Sequence, residues 1–192
     1  MKIPFYFHEN VNSSEFLNKI SGQSDLNISL SFNQIFKRDL IDLAPNGFIN
    51  CHAGGLPFYR GRNILNWAII NGEERFGVTI HYVNEGIDTG DIILQEWFEI
   101  HKSDNYGSTL KKAHEQCAET LHKALSQIQS GTVKRVPQCT IHPTGFYCGG
   151  RTFGDEWIDW GLTSKEIFNF VRGISTPAPG ARTMLGNREI AI

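Results

Sequence analysis

No apolar run in this chain approaches the length of a bilayer span. There is no basic excess either: 18 lysines and arginines stand against 20 aspartates and glutamates, a formal charge of −2. A surface built to hold nucleic acid normally carries clustered positive charge, so neither a nucleic acid nor a membrane is an expected partner. Cysteine is scarce. Cys51, Cys117, Cys139 and Cys148 form no CxxC pair, and no histidine lies at zinc-finger spacing from them. Reduced thiols in a cytoplasmic setting are expected, not a disulfide framework. The apolar start turns polar too soon for a signal peptide. Internal repeats, low-complexity linkers, GxSxG, Walker and GxGxxG motifs are also missing, so nothing in the sequence asks for a covalent nucleophile, a P-loop or a metal.

What is present is an ordinary globular composition, 40% apolar and 20% charged over 192 residues. That length suits one sizeable domain, or one domain with a small appendage. Ile3 to Phe7 reads as a strand. Asn12 or Ser13 can cap a short helix that places Phe16, Leu17 and Ile20 on one face. DLNISLSF reads as a buried strand, KRDLIDL as a short helix ended by PNG, and GFINCHA as the next strand. This β-α-β-α-β order argues for a parallel sheet flanked by helices. The Gly- and Pro-rich loop AGGLPFYRGRN leads into the helix ILNWAIING, stopped by Gly72. FGVTIHYV and DIILQEWFEI read as neighbouring strands joined through EGIDTG. From Ser108 to Gln129 apolar residues recur at helical spacing, with His114 and His122 expected on the exposed side. LTSKEIFNFVRGI reads as a last amphipathic helix.

Three features could carry chemistry. Asn50 and His52 lie two apart at a strand end, so they point to the same side. Carboxyl ends of strands border the ligand crevice in open α/β sheets. Asp88, in EGIDTGD, could orient an imidazole and raise its proton affinity, although Asp-Thr-Gly is also plain turn chemistry. Arg60 and Arg62, followed by Asn63, flank a glycine loop, and their forked donors suit phosphate oxygens. Without a nucleophile motif, the indicated chemistry is proton transfer with oxyanion stabilisation, as in direct acyl transfer.

At these residues the sequence resembles the folate-dependent formyltransferases. The family pattern of Asn-x-His, a loop like S-L-L-P-x-Y-R-G, W-A-I-x-x-G and H-x-V-x-x-x-x-D-x-G is met by FINCHAGGLPFYRG, WAIINGE and GVTIHYVNEGIDTGDII. His52 and Asp88 stand 88 − 52 = 36 residues apart, the separation expected in the family. Gly54-Gly55 departs from the usual Ser-Leu, which suggests a different acceptor or a more mobile loop. GDEWIDW and RGISTPAPGART look like the segment that follows the catalytic domain. SFNQIF and QCTIHPTGFYCGGR look closest to the sugar N-formyltransferases.

The resemblance implies a Rossmann-like α/β catalytic domain over residues 1–130 and a C-terminal extension over 131–192. Family members carry a further βαβα unit ahead of the segment matching Ile3, so the domain is expected to be N-terminally truncated. It implies that Asn50 donates to the formyl oxygen, that His52 assists proton removal or holds the oxyanion, and that Asp88 tunes His52. It places the pterin of 10-formyltetrahydrofolate between Asn33–Phe36 and Asn84–Ile87. Backbone groups of Gln34, Phe36, Asn84, Glu85, Gly86 and Ile87 would read its edge there, with Ile35 and Ile41 over its ring. The acceptor implied is a nucleotide-linked amino-deoxy sugar for surface polysaccharide, with a homodimer as the assembly to test for. Methionyl-tRNA formylation, hydrolysis of the formyl group and an inactive fragment stand as rival readings.

Overall fold

The computed structural model describes residues 3–192. A short helix α1 (Ser14–Ile20) is capped by the Ser13 hydroxyl, which accepts from Phe16 N. Strand β1 (Asn27–Leu30) and helix α2 (Arg38–Ile41) lead to β2 (Phe48–His52). A two-residue strand β3 (Arg60–Gly61) precedes α3 (Ile64–Ile70), and β4 (Arg75–Tyr82) and β5 (Ile92–Glu99) follow. Next come the long helix α4 (Tyr106–Gln129), a 3-10 turn (Gln138–Thr140), β6 (Tyr147–Cys148), α5 (Ser164–Gly173), and a hairpin of β7 (Arg182–Leu185) with β8 (Arg188–Ala191).

The main sheet runs β1-β2-β4-β5. β1 and β2 are parallel, joined across α2, while β4 is antiparallel to both β2 and β5. The α/β class follows from helices covering this sheet. α4 packs on β4, β5 and β2 through Ala113, Cys117 and Ala124, and these meet Ile49, Val78 and Ile80 in the main core. Small residues on α4 let the helix approach the sheet closely, and the buried branched side chains supply apolar area at about 25 cal/mol per Å². A second core gathers Val11, Leu40, Ile41 and Phe48. A third, around Ile158, Ile174 and Ala181, anchors α5 and the C-terminal hairpin beside α3. All four cysteines are free.

Most expected elements appear. α4 begins two residues before Ser108, because Asn105 and Ser108 close a reciprocal capping box there. α3 ends at Ile70, and Gly72, just past the Asn71 cap, takes φ +74 and turns the chain away. His114 and His122 are exposed. Ile3–Phe7, expected as a strand, is not one. Ile3, Phe5 and Phe7 are more than four-fifths exposed. A strand exists only through its ladder partner, and among the described residues no backbone pairs with this segment. β1 consequently borders the sheet and is not the buried strand expected: Ile28 and Leu30 are exposed and only Ser29 is buried.

Candidate active site

Alternation along β2 sorts its side chains as expected. Ile49 and Cys51 enter the main core, whereas Asn50 and His52 face a cleft of about 830 Å³. The antiparallel register sets Asn50 directly opposite His81 on β4. The connection after β4 then turns back and brings Asp88 over both. Asn84 shapes that turn, its Oδ1 accepting from Gly86 N and the Thr89 hydroxyl.

Four side chains converge. The Asn50 amide donates to His81 Nε2 at 3.2 Å and lies 3.4 Å from Asp88 Oδ1. Asp88 Oδ2 accepts from Gly61 N at 2.9 Å and stands 3.7 Å from His52 Nδ1, while Oδ1 is 3.5 Å from His81 Nε2. Carbonyl oxygens only accept, so the hydrogens on both imidazoles can be assigned. His52 Nε2 donates to Tyr59 O at 2.7 Å, and His81 Nδ1 donates to Tyr82 O at 2.8 Å. His52 Nδ1 is thereby left on the Asp88 side, able to take a proton.

Burial pushes His52 below its ordinary value near 6.5, against the opposing pull of Asp88 and the Tyr59 carbonyl. It is a neutral base at neutral pH. Burial alone would raise Asp88, but the adjacent His81 and His52 rings and the hydrogen bond from the Gly61 amide outweigh it and hold the carboxyl at about 2. Asp88 is therefore an anion facing the nitrogen of His52 that can gain a proton, the arrangement that favours an imidazolium once formed.

Other candidates divide. Asn33, Gln34, Ile35, Phe36, Asn84, Gly86 and Ile87 line the same cleft as Asn50, His52 and Asp88. The Gln34 side chain is engaged with Glu9 O and Val11 N. Phe36 packs on Phe48, with ring centroids 4.5 Å apart, and so ties the 33–36 segment to the second core. Ile41 is buried in that core and does not line the cleft; neither does Glu85. Arg62 and Asn63 line it. Arg60 does not: it is buried, and its guanidinium donates to Gln138 Oε1 and Thr144 O.

His81 is not among the residues the sequence singles out. Its position in H-x-V, one strand across from Asn-x-His, was the available signal. Tyr147, Cys148 and Gly150, far along the chain, also border the cleft, brought there by the β3–β6 pairing. The Gly54–Gly55 departure has a steric reason. A Cβ on Gly54 would lie 2.5 Å from His52 Nε2 and 2.6 Å from Tyr59 O, and one on Gly55 would lie 2.2 Å from the Trp97 ring. The loop is also tied to the sheet, with the Thr79 hydroxyl donating to Gly54 O and Gln95 to Leu56 O. Among the described residues no group of histidines, cysteines and carboxylates forms a metal site, and no helix is long and apolar enough to cross a membrane.

Comparison with known proteins bears on the family of the chain. Residues 8–125 match the formyl transferase family and residues 152–192 its C-terminal domain. A methionyl-tRNA formyltransferase of Desulforamulus reducens is 34% identical over 192 residues, covering 100% of this chain and 60% of the relative. The chain thus spans about 60% of the length of such curated relatives. A 4-N formyltransferase from Francisella tularensis superposes with a TM-score of 0.77 at 26% identity, covering 92% of this chain and 72% of that one. An N-formyltransferase from Helicobacter canadensis, solved with folinic acid and dTDP-3-aminofucose, superposes at 0.68 with 28% identity over 78% of this chain and 55% of that one. With 118 of its 192 residues inside the first of these matches (125 − 8 + 1), the chain belongs to the formyl transferase family.

Proposed function

We propose that this chain carries the catalytic centre for direct formyl transfer from 10-formyltetrahydrofolate to a primary amine. The observation behind this reading is the convergence of Asn50, His52 and Asp88 at the edge of one cleft that is also lined by residues 33–36 and by Asn84, Gly86 and Ile87. The amine nitrogen attacks the formyl carbon, and the carbonyl electron pair moves onto oxygen. The Asn50 amide donates to that oxygen as charge develops. His52, neutral and open at Nδ1, takes the proton the amine loses, and anionic Asp88 stabilises the resulting imidazolium. Collapse of the intermediate breaks the bond to N10, which receives the proton as tetrahydrofolate leaves.

Residues 33–36 and 84–87 are assigned to the pterin, with Ile35 and Ile87, both substantially exposed, as apolar cover for its ring. For the acceptor, a nucleotide-linked amino sugar is favoured. The chain has no basic excess for tRNA, and Arg62 offers a cleft-side cation for a diphosphate. The second reading, methionyl-tRNA, draws on the 34% identity to a methionyl-tRNA formyltransferase, above the 28% or less to the sugar enzymes. The test incubates the protein and 10-formyltetrahydrofolate with each acceptor class and follows the formyl mass increment on the product. Tetrahydrofolate release with no added amine would overturn transfer in favour of hydrolysis. A formyl increment on methionyl-tRNA alone would overturn the sugar assignment.

A further inference from the structure

Asp88 takes a left-handed backbone conformation, φ +52, without being glycine. Such a conformation persists only where the surroundings over-determine it. They do so through a side chain 50 residues away. Gln138 is 3% exposed and all its polar capacity is engaged. Its Nε2 donates to Asp88 O and to Gly90 O, each at 2.8 Å, and its Oε1 accepts from Arg60 Nε at 3.1 Å and Nη2 at 2.6 Å. Arg60 precedes Gly61, whose N–H is the donor to Asp88 Oδ2. The bonds close a ring from the Asp88 carboxylate through Gly61, Arg60 and Gln138 back to the Asp88 carbonyl. Val136 holds the ring to the sheet by a pair of bonds to Ile92, and Arg60 is fixed further by Thr144 O.

We propose that Gln138 is a positioning residue for the reaction, holding the Asp88 carboxylate in register with the Gly61 amide, His52 and His81. It belongs to the segment after α4 and does not itself line the cleft, so its influence on the reaction passes through the residues it bonds, Asp88, Gly90 and Arg60. The consequence for turnover rests on the formyl-transfer reading above. The consequence for Asp88 does not.

The test uses the full 192-residue chain and two variants. Gln138→Glu keeps an acceptor for Arg60, hence the fold, but cannot donate to Asp88 O and Gly90 O. Gln138→Met removes the donor without adding charge. Two measurements are made: steady-state formyl transfer, and hydrogen exchange of the Gly61 amide by NMR with the β4 amides as the control for global opening. The expected result is a kcat lowered by about 10- to 100-fold, the scale of a displaced catalytic group, with folate affinity kept. Gly61 exchange should accelerate while β4 protection holds. A folded Gln138→Glu protein with wild-type kcat and wild-type Gly61 protection overturns the proposal. If no variant and no wild-type protein transfers formyl, the functional reading fails, and Gly61 exchange alone still decides the role of Gln138.

Discussion

Replacing Asp88 by asparagine removes one charge and almost no volume. In the folded protein that charge stands 3.7 Å from His52 Nδ1, with the Asp88 side chain only 14% exposed. At an effective dielectric of about 20, unit charges near 4 Å apart interact by about 4 kcal/mol, and about 1.4 kcal/mol corresponds to tenfold in rate. Full loss of that interaction with a fully formed imidazolium would cost about 1000-fold. Partial proton transfer in the transition state makes about 100-fold the expected fall in kcat for Asp88→Asn. The asparagine carbonyl can still accept from Gly61 N, so the loop and folate binding should be retained. The pH profile supplies a second, signed readout. With His52 as the proposed neutral base, the rate should fall as pH drops through its pKa, which burial sets below 6.5. Asp88 opposes that depression, and its removal lets the His52 value fall further. The acid limb of the kcat profile should therefore move to lower pH in Asp88→Asn. A kcat within about threefold of wild type, too small for an interaction of this size, would refute the reasoning. So would an acid limb that moves upward.

Asn50→Ala should lower kcat by about 100- to 1000-fold, the usual cost of an oxyanion donor, with the melting temperature little changed; calorimetry beside the kinetic assay separates the two. Ile35→Asp sets a carboxylate where an apolar ring is assigned. The residue is 60% exposed, so folding should be kept while folate binding by isothermal titration weakens, and unchanged affinity would remove Ile35 from the pterin site. Arg62→Ala should raise the KM for a diphosphate-bearing acceptor and leave folate affinity alone, as steady-state kinetics with each ligand varied would show. Gly54→Ala should destabilise by about 1–3 kcal/mol, because its Cβ overlaps His52 Nε2 and Tyr59 O; urea melts measure the loss, and kcat should fall with it.

Much of this molecule is legible in one dimension. Helix α4 declares itself by periodicity, α3 by its terminal glycine, and the shared side of Asn50 and His52 by strand alternation, because each rests on neighbours within a few residues. The resemblance also carried the His52–Asp88 pairing. Other features turned on partners far away in the chain. Ile3–Phe7 has strand composition but no ladder to join. Arg60 and Arg62 look alike beside a glycine, yet one is drawn inward by Gln138, 78 residues away, and the other is left on the cleft. Ile41 is apolar enough to cover a ring but is taken by the second core. His81 and Gln138 carry no local sign of their places, which arise from the Asn50–His81 register and from the chain returning after α4 past Asp88. Local propensity and spacing set the elements and the side each residue faces. Which polar group meets which was decided by packing alone, since a buried donor or acceptor takes whatever partner the fold brings within about 3 Å.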